Sequence, residues 1–349
     1  MKIFNLMLGK GRGGLEQAAL DYAEALHLAG VDAVSVTATD AWVNTVLDAQ
    51  SLPRLSFTNY GSWDILAGWR LASLARSEGA THILCHGNRA LRLALRHTKP
   101  SAQVVAVTHN YSIADVPRAD AAFTITRDLA LEVELLGVPK DRIFHVPNAV
   151  RIVSEKKPHT LYSTPPVIGT MGRMVRKKGF DVWLEALALL NARGCQFRAL
   201  LGGDGEERSA LEALAGEKRL THTVEFLGWV EDKQQFFDRI DFFVLPSHEE
   251  AFGIVLIEAM AHGLPCIATS AAGPSEILHD KEDGLLVPRN DAAAMADAIA
   301  RLLDDHAYAG ELAQAGQRSV HTHYTLEAMA RRLREALDAL PARGLDIAA

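Results

Sequence analysis

What the chain lacks narrows its class first. No apolar run approaches the ~18 residues that a membrane-spanning helix needs, so no transmembrane segment is expected. Only three cysteines occur, Cys85, Cys195 and Cys266, far apart and odd in number. None belongs to a C-x-x-C pair, which leaves no disulfide framework and no zinc motif and fits a reducing cytoplasm. Basic residues do not dominate either. Lys and Arg number 36 against 43 Asp and Glu, and the net charge of −7 argues against nucleic acid as the main partner. Met1–Leu8 is short and runs straight into a glycine loop, so it reads as a first strand rather than a signal peptide.

What is present is length and alternation. At 349 residues the chain exceeds the usual single domain, and two domains of about 150–180 residues are expected. Strand-like runs at Lys2–Leu8, Ala33–Thr37, Thr81–Cys85, Gln103–Thr108, Ala121–Ile125 and Ile143–Val146 alternate with helical stretches at Leu15–Leu28, Trp63–Ser77, Arg89–His97 and Arg127–Leu136. Such alternation implies a parallel sheet with helices on both faces. The pattern lapses in SEKKPHTLYSTPP, then resumes from Val167 with further strands and helices through Leu303. The expected layout is a domain over 1–152, a linker over 153–165, a second domain over 166–323, and a C-terminal helix and tail over 324–349. The last helix places Leu326, Met329, Leu333, Ala336, Leu337 and Leu340 at helical spacing.

The most informative stretch is Ser247–Gly263, SHEEAFGIVLIEAMAHG. The apolar run Phe242–Leu245 reads as a buried strand, the acids Glu249 and Glu250 fall in a loop, and a helix starts at Ile254. The first turn, Gly253 to Val255, offers backbone N–H groups with no partner inside the helix, at the positive end of its dipole. Such an end favours a phosphate. Glu250 precedes it and Glu258 follows about one turn later, a layout suited to a ligand with diphosphate in the middle and hydroxyls at both ends.

Three other loops carry chemistry. Gly172-Arg173-Met174-Val175-Arg176-Lys177-Lys178-Gly179 follows a strand, where open α/β sheets bind ligands. Arg173 supplies a fork of donors and Lys178 a point charge, together suited to a pyrophosphate. Gly9-Lys10-Gly11-Arg12-Gly13-Gly14 satisfies G-x-G-x-x-G. Three readings apply: a dinucleotide fingerprint, poorly supported because Asp32 precedes the second strand and Asp40 lies beyond it; bare backbone at Gly13 and Gly14 that admits a donor diphosphate; and a structural turn. His109, in V-T-H-N-Y, stands at a strand's carboxyl end as an active-site candidate or a structural hydrogen-bonding residue.

The string E-A-F-G-I-V-L-I-E-A-M-A-x-G-L-P from Glu250 resembles the signature of the retaining family 4 glycosyltransferases, as do Gly13-Gly14-Leu15-Glu16 and the G-R-x-x-x-x-K-G spacing of Arg173 and Lys178. The resemblance implies an α/β fold of two Rossmann-like domains facing across a cleft (GT-B), with the C-terminal helix crossing back to the first. It implies transfer of a sugar from a nucleotide-sugar to a glycan or lipid-linked acceptor with retention, as in cell-surface polysaccharide or lipopolysaccharide biosynthesis. It assigns Arg173 and Lys178 to the departing diphosphate, Glu250 to the sugar hydroxyls and Glu258 to the ribose. His109 falls beside the donor sugar; Gly13, Gly14, Gly203, Val230, Phe252, Gly253, Ile254 and Val255 fall in the donor site. Ala149 stands where the family's P-N-G-V has glycine, and Ala251 where glycine is common.

No D-x-D occurs, so neither a metal nor another cofactor is expected. The competing readings are a nucleotide-sugar epimerase or hydrolase on the same scaffold and a non-catalytic nucleotide-sugar-binding module. Asn88–Lys99 sets Arg89, Arg92, Arg96 and Lys99 around a Leu face. That pattern suits a surface helix packed on the sheet and also allows peripheral contact with an anionic membrane, at the inner face if the protein is cytoplasmic.

Overall fold

The computed structural model describes residues 1–60, 64–99, 101–152 and 163–340. The chain divides into two compact units, Met1–Ala149 with Thr325–Ala349, and Val150–Tyr324. Most of the expected linker, 153–162, lies outside the described residues, as do Trp63 and the tail from 341.

In the first unit seven strands form one parallel sheet: β1 (Lys2–Met7), β2 (Asp32–Ala38), β3 (Arg54–Phe57), β4 (His82–His86), β5 (Gln103–Thr108), β6 (Ala121–Thr124) and β7 (Ile143–His145). Their order is β3-β2-β1-β4-β5-β6-β7, so the direction of winding reverses between β1 and β4. β4 and β5 are buried along their whole length, as expected of parallel strands covered by helices on both faces. The helix Leu326–Ala339 starts at Thr325, whose hydroxyl accepts the Ala328 N–H at 3.2 Å. Its Met329, Leu333 and Leu337 are almost fully buried in one cluster with Tyr22 and Leu26 of the helix Gly14–Leu28. Each such side chain contributes roughly 1.5–3 kcal/mol by leaving water, which ties the distant C-terminal helix to this unit.

In the second unit the sheet order is β10-β9-β8-β11-β12-β13, from β8 (Val167–Met171), β9 (Arg198–Gly202), β10 (Val224–Gly228), β11 (Phe242–Leu245), β12 (Cys266–Thr269) and β13 (Leu285–Val287). All pairings between these strands are parallel. Asp241, buried at 2% exposure, accepts the Val167 N–H at 2.8 Å and fixes the start of β8 beside β11. Trp183, Leu187 and Leu190 of the helix Phe180–Ala192 fill one face.

Several elements carry weaker signals in the sequence. β3, the helix Val43–Ala49 and the helix Ala272–Ile277 are short, and the 18-residue helix His306–His323 buries mostly small residues, Ala309, Leu312, Ala313, Gly316 and Val320. Asp305 starts the last of these by accepting the Tyr308 N–H at 2.9 Å. Among the described residues, no helix is long and apolar enough to cross a membrane.

Candidate active site

The second unit's site grows from its switch point. β8 and β11 are neighbours, and later strands run outward from each, so the loops leaving these two strands part and open a crevice. Those loops are the basic stretch 172–179 and the acidic stretch 246–253. Gly179 lets them meet. It takes a left-handed backbone, φ +65°, and a Cβ there would collide with the Pro246 carbonyl oxygen. The Lys177 carbonyl then accepts the N–H groups of His248 at 2.9 Å and Glu249 at 3.2 Å.

This stitching sets Lys178 Nζ 2.5 Å from Glu250 Oε2. Ser247, fully buried, donates its hydroxyl to the same oxygen at 3.2 Å. Oε1 of Glu250 has no hydrogen-bond partner among the described residues. Arg173 is exposed and unpaired among the described residues, while Glu249 is exposed beside Glu250.

The helix Ile254–Ala261 begins at Gly253, φ +109°, whose carbonyl accepts from Leu256 at 2.9 Å and Ile257 at 3.4 Å. The N–H groups of Gly253, Ile254 and Val255 find no acceptor among the described residues. Phe252 is buried edge-on to Tyr324, ring centroids 5.9 Å apart, and holds the turn from below. Farther along the helix, Glu258 is gripped by Lys233 Nζ at 2.6 and 2.9 Å. Burial pushes the Glu258 carboxyl up, and the Lys233 charge works against that push.

Lys233, through this pair, is a candidate site residue that the sequence motifs do not mark. It lies in the first turn of Lys233–Asp238, a six-residue helix with no motif of its own; its closeness to Gly228-Trp229-Val230 was the available signal. The glycine loop after β9 closes the group. Gly203 donates its N–H to Gly228 O at 2.6 Å, Gly172 donates to Gly202 O at 2.9 Å, and Met174 donates to Asp204 O at 2.8 Å. A side chain at Gly203 would strike the Gly172 carbonyl oxygen. Val230 is half-buried against Gly202, next to the exposed Trp229.

In the first unit the glycine loop leaves β1 at that sheet's own switch point. Glu16, nearly buried, accepts the Gly13 N–H at 3.1 Å, and its carboxylate lies against Gly9 and Gly11. A carboxylate inside the loop repels the pyrophosphate that a dinucleotide fingerprint would cradle there, so that reading fails. Asp40 is paired with Lys10 at 2.7 Å. The Gly13 N–H is therefore committed, while Gly14 is exposed.

His109 follows β5 and is half-buried. Its Nε2 lies 3.0 Å from Nδ1 of His86, and Nε2 of His86 lies 2.7 Å from Asn5 Oδ1. Desolvation lowers His109 to about 4, so its imidazole is neutral at physiological pH. The basic helix Gly87–His97 buries Leu91, Leu93 and Leu95. Its cations are partly answered: Arg92 pairs with Asp115 at 2.6 Å and Lys99 with Asp120 at 3.7 Å. Ala149 has no positive φ, so the glycine of the resembling motif is not needed there.

The family model for glycosyl transferases group 1 matches residues 153–319. The Escherichia coli putative colanic acid biosynthesis glycosyltransferase WcaL is 30% identical over 283 residues, 78% of this chain and 67% of that protein. The chain is a group 1 glycosyltransferase. The Rhizobium meliloti lipopolysaccharide core biosynthesis glycosyltransferase LpsE is 28% identical to it over 337 residues, covering 94% of this chain and 96% of that one. The crystal structure of Anabaena Alr3699/HepE in complex with UDP matches this glycosyltransferase over 97% of its chain and 100% of that chain, with TM-score 0.83 and 21% identity. At that identity the likeness is one of fold: two Rossmann-like parallel-sheet domains of the GT-B type.

Proposed function

We propose that this glycosyltransferase moves a hexosyl unit from a nucleotide-sugar to a glycan or lipid-linked acceptor with retention of anomeric configuration. The acceptor belongs to lipopolysaccharide or another cell-surface polysaccharide under assembly at the cytoplasmic face. The observation that carries the reading is the crevice between the β8 and β11 loops. It combines cations, open helix N–H groups and two carboxylates, each braced by a lysine. A nucleoside diphosphate leaving as its sugar departs gains charge on its terminal phosphate. Arg173, Lys178 and the N–H groups of Gly253–Val255 meet that charge with donors already in place, an electrostatic role that needs no metal ion.

Glu258, with its oxygens shaped by Lys233, accepts the ribose hydroxyls, and the open Oε1 of Glu250 accepts a sugar hydroxyl. Ser247 and Lys178 hold the other oxygen of Glu250 so that this geometry is kept without substrate. The glycine loop at Gly203 and the segment at Val230 flank the base, and His109 offers a neutral imidazole to a substrate hydroxyl. LpsE and LpsD, a second Rhizobium meliloti lipopolysaccharide core biosynthesis glycosyltransferase 28% identical over 335 residues, support the acceptor class.

The test begins with thermal shift against UDP-, GDP- and ADP-sugars, since a ligand specific for the folded state raises its midpoint. The stabilising donor, radiolabelled, is then incubated with and without lipopolysaccharide-core acceptors, and the new linkage is read by NMR. Label in the acceptor with the donor's anomeric configuration is expected. Free sugar regardless of acceptor indicates a hydrolase, an isomerised donor an epimerase, and stabilisation without turnover a binding module.

A further inference from the structure

The chain of side chains Asn5, His86 and His109 has only one consistent assignment of protons. Asn5 Nδ2 lies 2.9 Å from the Ala19 carbonyl oxygen, which can only accept, so the amide nitrogen faces that way. A second contact, to Ser35 Oγ at 3.4 Å, lies on the same side. The amide oxygen Oδ1 is therefore turned to His86, where it accepts from Nε2 at 2.7 Å. A neutral imidazole carries one N–H. With Nε2 of His86 donating to Asn5, Nδ1 of His86 must accept, and the donor at 3.0 Å is Nε2 of His109. The single proton of neutral His109 is then on Nε2, and its Nδ1 has no hydrogen bond among the described residues.

We infer that Asn5 and His86 are positioning residues that hold His109 in its Nε2-protonated tautomer, so that Nδ1 presents a bare acceptor to a substrate hydroxyl. The assignment rests on the glycosyl-transfer reading only for the identity of that hydroxyl. The supporting geometry is local to the first unit. His86 is 2% exposed, ends β4, and is met edge-on by the Tyr22 ring at 4.8 Å, while Asn5 is 2% exposed within β1. Water has little access to compete along this chain. Burial lowers His86 well below the usual imidazole value, with the neighbouring His109 adding to the effect, so the doubly protonated His86 that would donate to His109 Nε2, and so reverse that bond, is disfavoured. A histidine free to choose between tautomers would meet that hydroxyl with an acceptor in some molecules and a donor in others.

The test uses the full chain with 15N-labelled histidine and long-range proton–nitrogen correlation, which reads the tautomer of each ring directly. The His109 signals are assigned by their loss in His109→Gln. His86→Gln keeps the relay, because its amide can donate to Asn5 and accept from His109 at the same spacing. His86→Met breaks it. The expected result is a single Nε2-protonated His109 in the native protein and in His86→Gln, and a mixture of tautomers in His86→Met. With the donor saturating, kcat should fall about tenfold in His86→Met, return in His86→Gln, and leave the donor KM within about twofold. Nδ1-protonated His109 in the native protein overturns the inference, as does an unchanged tautomer in His86→Met. If His86→Met fails to fold, the native and His86→Gln spectra decide alone. Failure of the glycosyl-transfer reading is distinct: no acceptor would be labelled by any donor, while the tautomer result stands.

Discussion

Lys178 and Glu250 are 72 positions apart in the chain, yet Nζ of one lies 2.5 Å from a carboxylate oxygen of the other. Their side chains are only 17% and 14% exposed, so the pair is shielded from water that would otherwise screen it. The lysine is thus pre-placed at the crevice by the same acid whose second oxygen remains open.

Removing that lysine tests its role most directly. Lys178→Ala is expected to lower turnover by about 100-fold or more, the scale seen when one preorganised donor to developing charge is lost. The circular dichroism spectrum should stay native. Initial rates at saturating donor decide it, and turnover within about twofold of native would remove Lys178 from the mechanism.

Glu258 and Lys233 should act on donor binding instead. Lys233→Met leaves a partly buried carboxylate without its counter-charge and with its pKa already pushed up by burial. The donor KM is expected to rise about tenfold, worth about 1.4 kcal/mol, with a smaller change in kcat. Glu258→Gln should show the same split. A fall in kcat with KM unchanged would place Glu258 in the chemical step.

Gly179→Ala should damage the scaffold itself. The residue's φ of +65° and the collision of any Cβ with Pro246 both act against it. A loss of roughly 2 kcal/mol or more in urea unfolding is expected, together with lower activity as the two loops part. An unchanged midpoint would show that the loops yield at little cost.

His109 carries a stability signature in pH. Its folded pKa, about 4, lies below the ordinary imidazole value of 6.5, so between those values the unfolded chain binds a proton that the folded chain does not. Stability therefore falls as pH drops from 6.5 toward 4, by on the order of 2 kcal/mol from this group. His109→Gln should reduce the slope of the unfolding midpoint across that window, measured against the native protein in the same buffers, with buried His86 supplying part of the slope that remains. Equal slopes for the two proteins would refute the buried, neutral assignment.

Chelation separates the electrostatic reading from a metal-dependent one. On the proposal that Arg173, Lys178 and the helix N-terminus meet the diphosphate, transfer should persist in excess EDTA within about twofold. Loss of activity on chelation and recovery with a divalent cation would reassign the charge stabilisation.

Local pattern alone specified much of this protein. Alternating apolar runs and helical stretches specified two α/β units, because parallel strands covered on both faces need an apolar middle, as Ile83–Cys85 gives β4 and Val104–Val107 gives β5. The start of the helix at Ile254 was equally legible, since Phe252-Gly253 and the strong helix formers after it are local signals. Pairing between distant positions was not. Lys233 reaches Glu258 because the segments after β10 and β11 leave the same, carboxyl edge of the sheet. The proton order along Asn5, His86 and His109 depends on three strands or strand ends meeting Ala19 of a helix, and no spacing in the sequence encodes it. Helix and strand period follow from neighbours in the chain, whereas charge partners, tautomers and burial follow from neighbours in space.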